Sequence, residues 1–367
     1  MMKRATVDVK AFSEAFEKVS GVLKKVAIPV LSEVLVRFEK GKCTLTATDL
    51  NTWLIAEIGY IGDDFSFVFQ NTKDVVKACK LFRGELELAL NESGCGRNRI
   101  LTLSMTCEGR SAVFGATPPE EYPEIGAIEN EVEFSVGAKT LLKRIERVGY
   151  AAKKPTDKET ARSCSIQFAE HCVYALDGLR LACDTDESYA FPKPFMVYAE
   201  PLSYLKYFGE QRVAVRLGKR RGIITGENMI MVFRLSGTDN YDVKQANPNV
   251  CIEEFLVTPK ELIKELKYLK EFAKKDSRPY VRFSGGELAM PTSDGKFKTH
   301  IRVEGKSEIT FAFNLHLMMD AMLQFRDEPK VKVKVSSAVT PFVIEAEGRG
   351  DYALVCPTRL SEKLLAA

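Results

Sequence analysis

Phe134-Ser-Val-Gly-Ala-Lys-Thr-Leu-Leu-Lys-Arg-Ile-Glu-Arg-Val148 decides the fold, because its pattern returns downstream as Phe255-Leu-Val-Thr-Pro-Lys-Glu-Leu-Ile-Lys-Glu-Leu-Lys-Tyr-Leu269. Phe134 and Val136 match Phe255 and Val257, Leu141, Leu142, Ile145 and Val148 match Leu262, Ile263, Leu266 and Leu269, and Lys143 matches Lys264. A looser copy opens the chain with Val7, Val9, Phe12, Phe16 and Val19. Each copy reads as a short alternating strand running into an amphipathic helix. One unit used three times points to a symmetric scaffold whose surface arises by repetition, rather than to a single catalytic cleft.

Between these copies the alternation predicts hairpins: Val34–Phe38 with Leu45–Ala47, Glu85–Leu90 with Ile100–Leu103, Ile166–Phe168 with Val173–Ala175, Val213–Leu217 with Gly222–Ile224, and Val331–Val335 with Phe342–Ala346. Second helices are expected at Thr72–Phe82, Pro201–Phe208 and Asn314–Phe325. Each third therefore reads strand, helix, strands, helix, strands, an α+β organisation. Linkers at Thr117-Pro-Pro-Glu-Glu-Tyr-Pro123 and Gln245-Ala-Asn-Pro-Asn249 divide the chain into domains 1–128, 129–250 and 251–367.

Net charge is only +3, but it is unevenly distributed. Lys139, Lys143, Arg144, Arg147, Lys153 and Lys154 are opposed by Glu146 alone, and Lys260, Lys264, Lys267, Lys270, Lys274 and Lys275 by Glu261, Glu265 and Glu271. Lys73–Arg83 and Lys10–Lys25 are also basic, so the strands and loops between are acidic. At about 100° per residue, Leu262, Leu266, Leu269 and Ala273 share one helix face and the lysines fall opposite. The Leu141 helix repeats this, with Leu141, Ile145, Val148 and Ala152 on one face and Lys139, Lys143, Arg147, Lys153 and Lys154 away from it. Lysines solvate the outer face of many helices. Four basic helices in an otherwise acidic chain favour a surface turned toward a polyanion.

Catalytic patterns are absent. The sequence holds no phosphate loop of the G-x-x-x-x-G-K-[ST] type and no G-x-G-x-x-G after a strand. His171, His300 and His316 are scattered, and the nine cysteines contain no C-x-x-C pair, so reduced thiols in a cytosolic protein are expected. Gly218-Lys-Arg-Arg-Gly222 reads as a basic hairpin turn or a phosphate loop. No membrane-length apolar run and no signal peptide is seen, no metal or cofactor is implied, and the expected location is cytoplasmic.

Two strings carry a family resemblance. Ala175-Leu-Asp-Gly-Leu-Arg-Leu-Ala182 resembles a middle-domain motif of the bacterial DNA polymerase III beta subunit, the DNA sliding clamp, and Tyr352-Ala-Leu-Val-Cys-Pro-Thr-Arg-Leu360 resembles that family's C-terminal end. Val19-Ser-Gly-Val22, Ile28-Pro-Val-Leu31 and Leu45-Thr-Ala-Thr-Asp-Leu50 match its first domain in order and spacing. The resemblance implies three clamp domains per chain, each with two helices inside antiparallel sheets, and a head-to-tail homodimeric ring around duplex DNA. Such a ring is a non-catalytic processivity factor. Lys24, Lys25, Lys139, Lys143, Arg147, Lys153, Lys264, Lys267 and Lys274 would face the DNA without reading its sequence. Phe272 would lie at the ring interface.

The resemblance also implies a pocket for short linear motifs of the polymerase III catalytic subunit, the clamp loader, other polymerases and repair proteins. Its residues here would be Leu176, Gly178, Leu179, Arg180 and Leu181, then Val339, Pro341, Leu354, Cys356, Pro357, Thr358 and Arg359. The chain departs from the family in that Leu176 and Leu179 stand where Thr and His are common, and Cys356 and Thr358 where methionines are frequent. These changes imply a somewhat different peptide. Residues 361–367 extend past the family's end, and the Asn314–Phe325 helix is not basic. Two other readings remain at this point: a repeat-built enzyme or carbohydrate binder, which would need an acid or metal cluster, and a peptide-docking ring without DNA, against which the basic helices argue.

Overall fold

The computed structural model describes residues 2–360 apart from 25–27, 94–99, 238–239, 247, 249, 274–278 and 293–294. The three strand-to-helix copies form as expected. Lys3–Asp8 runs into α1 (Val9–Ser20), Val132–Gly137 into α3 (Ala138–Val148), and Glu253–Val257 into α5 (Pro259–Lys270), while α2 (Thr72–Leu81), the short α4 (Ala199–Leu202) and α6 (Leu315–Gln324) are the second helices. All five predicted hairpins are paired antiparallel.

Local chemistry explains where the helices start. Asp8 caps α1 by accepting from the Ala11 N–H at 2.8 Å, and Asn314 caps α6 by accepting from His316 and Leu317. Such a cap contributes about 1 kcal/mol. Pro259 occupies the first turn of α5, where a missing N–H costs nothing. Two helix expectations are corrected. The Leu141 helix stops at Val148, and a single 3-10 turn, Gly149–Ala151, follows, so Lys153 and Lys154 lie beyond the helix. The segment Pro201–Phe208 is not one α-helix: α4 covers only Ala199–Leu202, and Ser203–Phe208 continues as a 3-10 helix. Aromatic and β-branched side chains lack the straight-chain freedom that helices reward, and this short, Tyr- and Phe-rich segment takes the tighter form.

The chain divides into two compact units, Met1–Thr140 with Ser203–Leu235, and Leu141–Leu202 with Ser236–Ala367. This division runs through the segment 129–250, because sheets continue across the repeat boundaries. In the first unit the described strands form one antiparallel sheet in which Val132–Gly137, Arg212–Leu217, Arg221–Thr225 and Met229–Arg234 from the second repeat join Thr52–Gly59 from the first. In the second unit Arg180–Thr185 from the second repeat joins Tyr352–Val355 from the third in the same way. A four-stranded sheet, ordered Gly295–His300, Glu287–Thr292, Tyr280–Ser284 and Phe311–Asn314, completes this unit.

Aromatic rings fill both cores. Phe12 and Phe16 of α1 pack edge-on against Phe69, and Phe38, Phe65 and Phe67 stack beside them. In the second unit Phe255, Phe283, Phe311 and Phe342 form a ring chain with successive centroids 4.9–5.2 Å apart. Aromatic pairs of this kind add ~0.5–1.5 kcal/mol each beyond their buried area.

Candidate functional site

The expected pocket residues fall on one face of the second unit's large sheet. Antiparallel register sets Leu176 opposite Leu181, Leu181 opposite Leu354, and Leu354 opposite Val343, so one apolar row crosses four strands. Leu181, Cys183, Val243, Val343 and Leu354 are buried together, with Cys172, Tyr174, Leu176, Tyr241 and Tyr352 packed against them. Leu181 and Leu354 are therefore the floor, at 3% exposure each, whereas Leu179 and Val339 stand free at 52% and 54%.

The rim is held by hydrogen bonds. The Asp177 carboxylate accepts from the Leu179 and Arg180 N–H groups, and Gly178 takes the left-handed φ of +86° that this tight turn requires. Arg180 is clamped rather than free: Nε donates to Asp177 at 3.1 Å, Nη1 to Asp320 at 2.6 Å, and its guanidinium lies 5.3 Å over the Tyr150 ring. The C-terminal segment joins through the Cys356 N–H on the Leu179 carbonyl (2.8 Å) and the Thr358 N–H on the Ala312 carbonyl (2.7 Å), with Pro357 bridged to Phe313. Pro341, Cys356, Pro357 and Thr358 are half-buried, while Gly178 and Arg359 are exposed. Burial, then the nearby Asp177 carboxylate, pushes the Cys356 thiol above its ordinary value.

Sequence reasoning missed Tyr241, Val243 and Val343 in this site. Val343 was legible, since in Phe342-Val-Ile-Glu-Ala346 it alternates with the core residues Phe342 and Ile344 and must face the other way. Tyr241 and Val243 come from a connecting segment with no periodicity to read.

The basic residues divide into free and engaged. Lys143, Lys264 and Lys267 are exposed; among the described residues Lys143 has no carboxylate within ion-pair distance, and Lys264 lies 3.6 Å from Glu265 while remaining 82% exposed. Lys24 lies in the loop after α1 and pairs with Asp49 at 2.8 Å. Lys139 pairs with Glu210, and Lys153 with Glu159 at 2.8 Å. Lys25 and Lys274 lie outside the described residues.

Arg147 is drawn into a buried ion cluster that the sequence did not announce. It reaches Asp184 at 3.0 Å and Asp351 at 3.6 Å. Arg144, three residues earlier and about one turn away, is itself buried and donates to Asp184 at 2.6 Å and to the His171 carbonyl at 2.5 Å. Burial outweighs the Thr185 N–H and the arginines and pushes the Asp351 carboxyl above its ordinary value. At about −60° from Leu141, Arg144 sits beside the apolar stripe, and that angle was the available signal.

Phe272 is partly exposed at 37%, stacked on Phe297 with centroids 3.9 Å apart and edge-on to Tyr268. Phe297 and Tyr268 complete a surface aromatic cluster beside the outer strand Gly295–His300.

No family model matches the chain. It is 24% identical over 368 residues to the beta sliding clamp of Chlamydia pneumoniae, covering 94% of this chain and 95% of that protein. Over nearly its whole length the chain is therefore similar to a beta sliding clamp. A stretch of 174 residues is 30% identical to the beta sliding clamp of Haemophilus influenzae, 46% of each protein. In fold, the chain resembles the solved beta subunit of DNA polymerase III from Thermotoga maritima, at a TM-score of 0.81 and 21% identity over 98% of this chain and all of that one. The chain's described helices include none long and apolar enough to cross a membrane.

Proposed function

We propose that two copies of this clamp close head to tail around duplex DNA and tether the polymerase III catalytic subunit, the clamp loader and other DNA-handling proteins through short linear motifs. The protein acts in the cytoplasm and carries out no chemistry itself. Its contribution is topological: phosphate-directed contacts hold the ring on DNA without fixing its position. Screening over ~8 Å at physiological salt keeps each contact weak enough to slide.

The observation that carries the reading is the segregation of surfaces on α3 and α5. Leu141, Ile145 and Val148, and likewise Leu262, Leu266 and Leu269, are sealed in cores, leaving Lys143, Lys264 and Lys267 exposed. The domains are taken as 1–128, 129–250 and 251–367.

Closure is supported by two open sheet edges. Arg110–Ala116 is paired along one side, but on the other, among the described residues, only Gly115, Ala116 and Thr117 find partners, and Val113 is 65% exposed. Gly295–His300 is the outer strand of its sheet, next to the Phe272 cluster. Unpaired edges bearing apolar side chains invite another chain. Edge-to-edge pairing between copies would place Phe272 at the joint.

The peptide site is the row Leu176, Leu181, Leu354 and Val343, with Leu179, Val339 and Pro357 on its rim. A short motif with a few apolar anchors is expected to bind at about micromolar Kd, or −8 kcal/mol, weak enough for successive partners to exchange.

The test is retention. Loaded by a clamp loader, the protein should stay on nicked circular DNA and be lost when that DNA is linearised, and its solution mass should be that of a dimer. Equal retention on both DNAs would reject the ring.

A further inference from the structure

The row that floors the peptide site has a counterpart in the first unit. Thr48 stands opposite Trp53, Trp53 opposite Val232, and Val232 opposite Ile223, which reproduces Leu176, Leu181, Leu354 and Val343 strand for strand. One step further along, the two surfaces differ in chemistry. Beyond the Phe342–Val355 pair come Pro341 and Cys356; beyond the corresponding Gly222–Phe233 pair, Arg221 faces Arg234.

Like charges set directly opposite across a sheet are destabilising. Here nothing neutralises them: among the described residues no carboxylate lies within ion-pair distance of Arg220, Arg221 or Arg234. The Arg221 guanidinium is held 4.8 Å over the Trp53 ring. Lys219, Arg220 and Arg221, on the turn between Arg212–Leu217 and Arg221–Thr225, line a groove of about 480 Å3 whose other wall is residues 127–129, including Glu129 at 3.7 Å from Lys219. The groove is preformed, because Gly218 packs so closely on the Glu129 carbonyl that a Cβ there would sit 2.4 Å from it.

We propose that this surface docks an acidic linear segment of a partner protein, making it a second docking site of different specificity at the repeat-related position. Carboxylates of the segment would neutralise the Arg221–Arg234 pair and Lys219, while Glu129 accepts from the segment's backbone N–H groups. A phosphate backbone fits less well, since Glu129 would oppose it and offers it no donor. The proposal stands on this groove alone and does not require the peptide row of the second unit to bind anything.

Trp53 is the single tryptophan of the chain and lies under the groove's Arg221, so its emission follows changes at that arginine. Full-length protein is titrated with acetyl-Asp-Glu-Leu-Asp-Phe-Glu-amide, with its Asn/Gln twin, and with a short oligothymidylate, while Trp53 emission is followed. The acidic peptide should give a saturable change that weakens with salt, the twin roughly tenfold less affinity. Arg234→Gln, at an exposed position that leaves the Arg221–Trp53 stack in place, should weaken the acidic peptide by a similar factor without lowering the melting temperature. No saturable response, equal binding of the twin, or an unchanged affinity in Arg234→Gln would overturn the proposal. Tighter binding of the oligothymidylate than of the acidic peptide would overturn it in favour of a nucleic-acid groove.

Discussion

Phe272→Ala tests the ring directly, and the structure bounds its effect. Phe272 is already partly covered within its own chain by Phe297 and Tyr268, so only its 37% exposed share is available to a partner. Of roughly 200 Å2 for a Phe side chain, that share is ~75 Å2, or ~2 kcal/mol at about 25 cal/mol/Å2. A two-chain ring has two equivalent joints, so closure should lose ~4 kcal/mol, a weakening of the dimer by roughly 500-fold or more. The intramolecular stacking removed with the ring costs each monomer a further ~0.5–1.5 kcal/mol, visible as a small drop in melting temperature. Sedimentation equilibrium across a dilution series separates the two effects. A dimer constant that stays within a few-fold of the parent, with the fold intact, would refute the placement of Phe272 at the joint.

Reversing Lys143, Lys264 and Lys267 to Glu should lower the salt slope of DNA association by up to about 0.9 for each phosphate no longer neutralised, measured by fluorescence anisotropy between low and physiological salt. Melting temperature should barely move, since exposed charges contribute ~0–1 kcal/mol each. By contrast, Arg144→Met should cost ~1.5–3 kcal/mol in a urea melt, because it removes the closer charged hydrogen bond to the buried Asp184 carboxylate and leaves it to the half-exposed Arg147 at 3.0 Å. Leu179→Ala should weaken a fluorescent Gln-Leu-x-Leu-Phe-like peptide while shifting stability by no more than ~0.5 kcal/mol; deletion from Pro357 onward should abolish that binding, whereas deletion of residues 361–367 alone should preserve or improve it. The Cys183 thiol donates to the Cys172 sulfur and pulls the Cys172 pKa below the usual thiol range, while burial pushes Cys79 up to about 12 and Cys43 higher still. As pH rises from acid, iodoacetamide should therefore modify Cys172 first and leave Cys43 and Cys79 unmodified at neutral pH, as read by mass spectrometry.

Much of the scaffold was legible because periodicity is enforced by burial. Phe134/Val136 and Phe255/Val257 alternate, and Leu141/Ile145 and Leu262/Leu266 recur at helical spacing, because each copy must bury the same face. The pocket residues came from the family resemblance of Ala175–Ala182 and Tyr352–Leu360, not from periodicity. Arg144 was not legible, because a helix angle near the apolar edge does not say whether an acidic partner waits there, and Asp184 lies 40 residues away. The early end of the Leu141 helix at Val148 was hidden too: Ala152 falls on the apolar face by angle, and nothing in its spacing marks the 3-10 turn. Pairing across repeats, such as Trp53 with Val232, was invisible, since strand alternation names the face but not the neighbour.

That cross-repeat pairing carries a consequence for how the molecule can be taken apart. The strand-to-helix pattern recurs three times, yet the backbone hydrogen bonds between Thr52–Gly59 and Met229–Arg234, and between Arg180–Thr185 and Tyr352–Val355, join strands of successive repeats. A fragment cut between the repeats would bare two raw strand edges and invite aggregation. The middle repeat is thus no independent body: its residues are shared between two larger compact units.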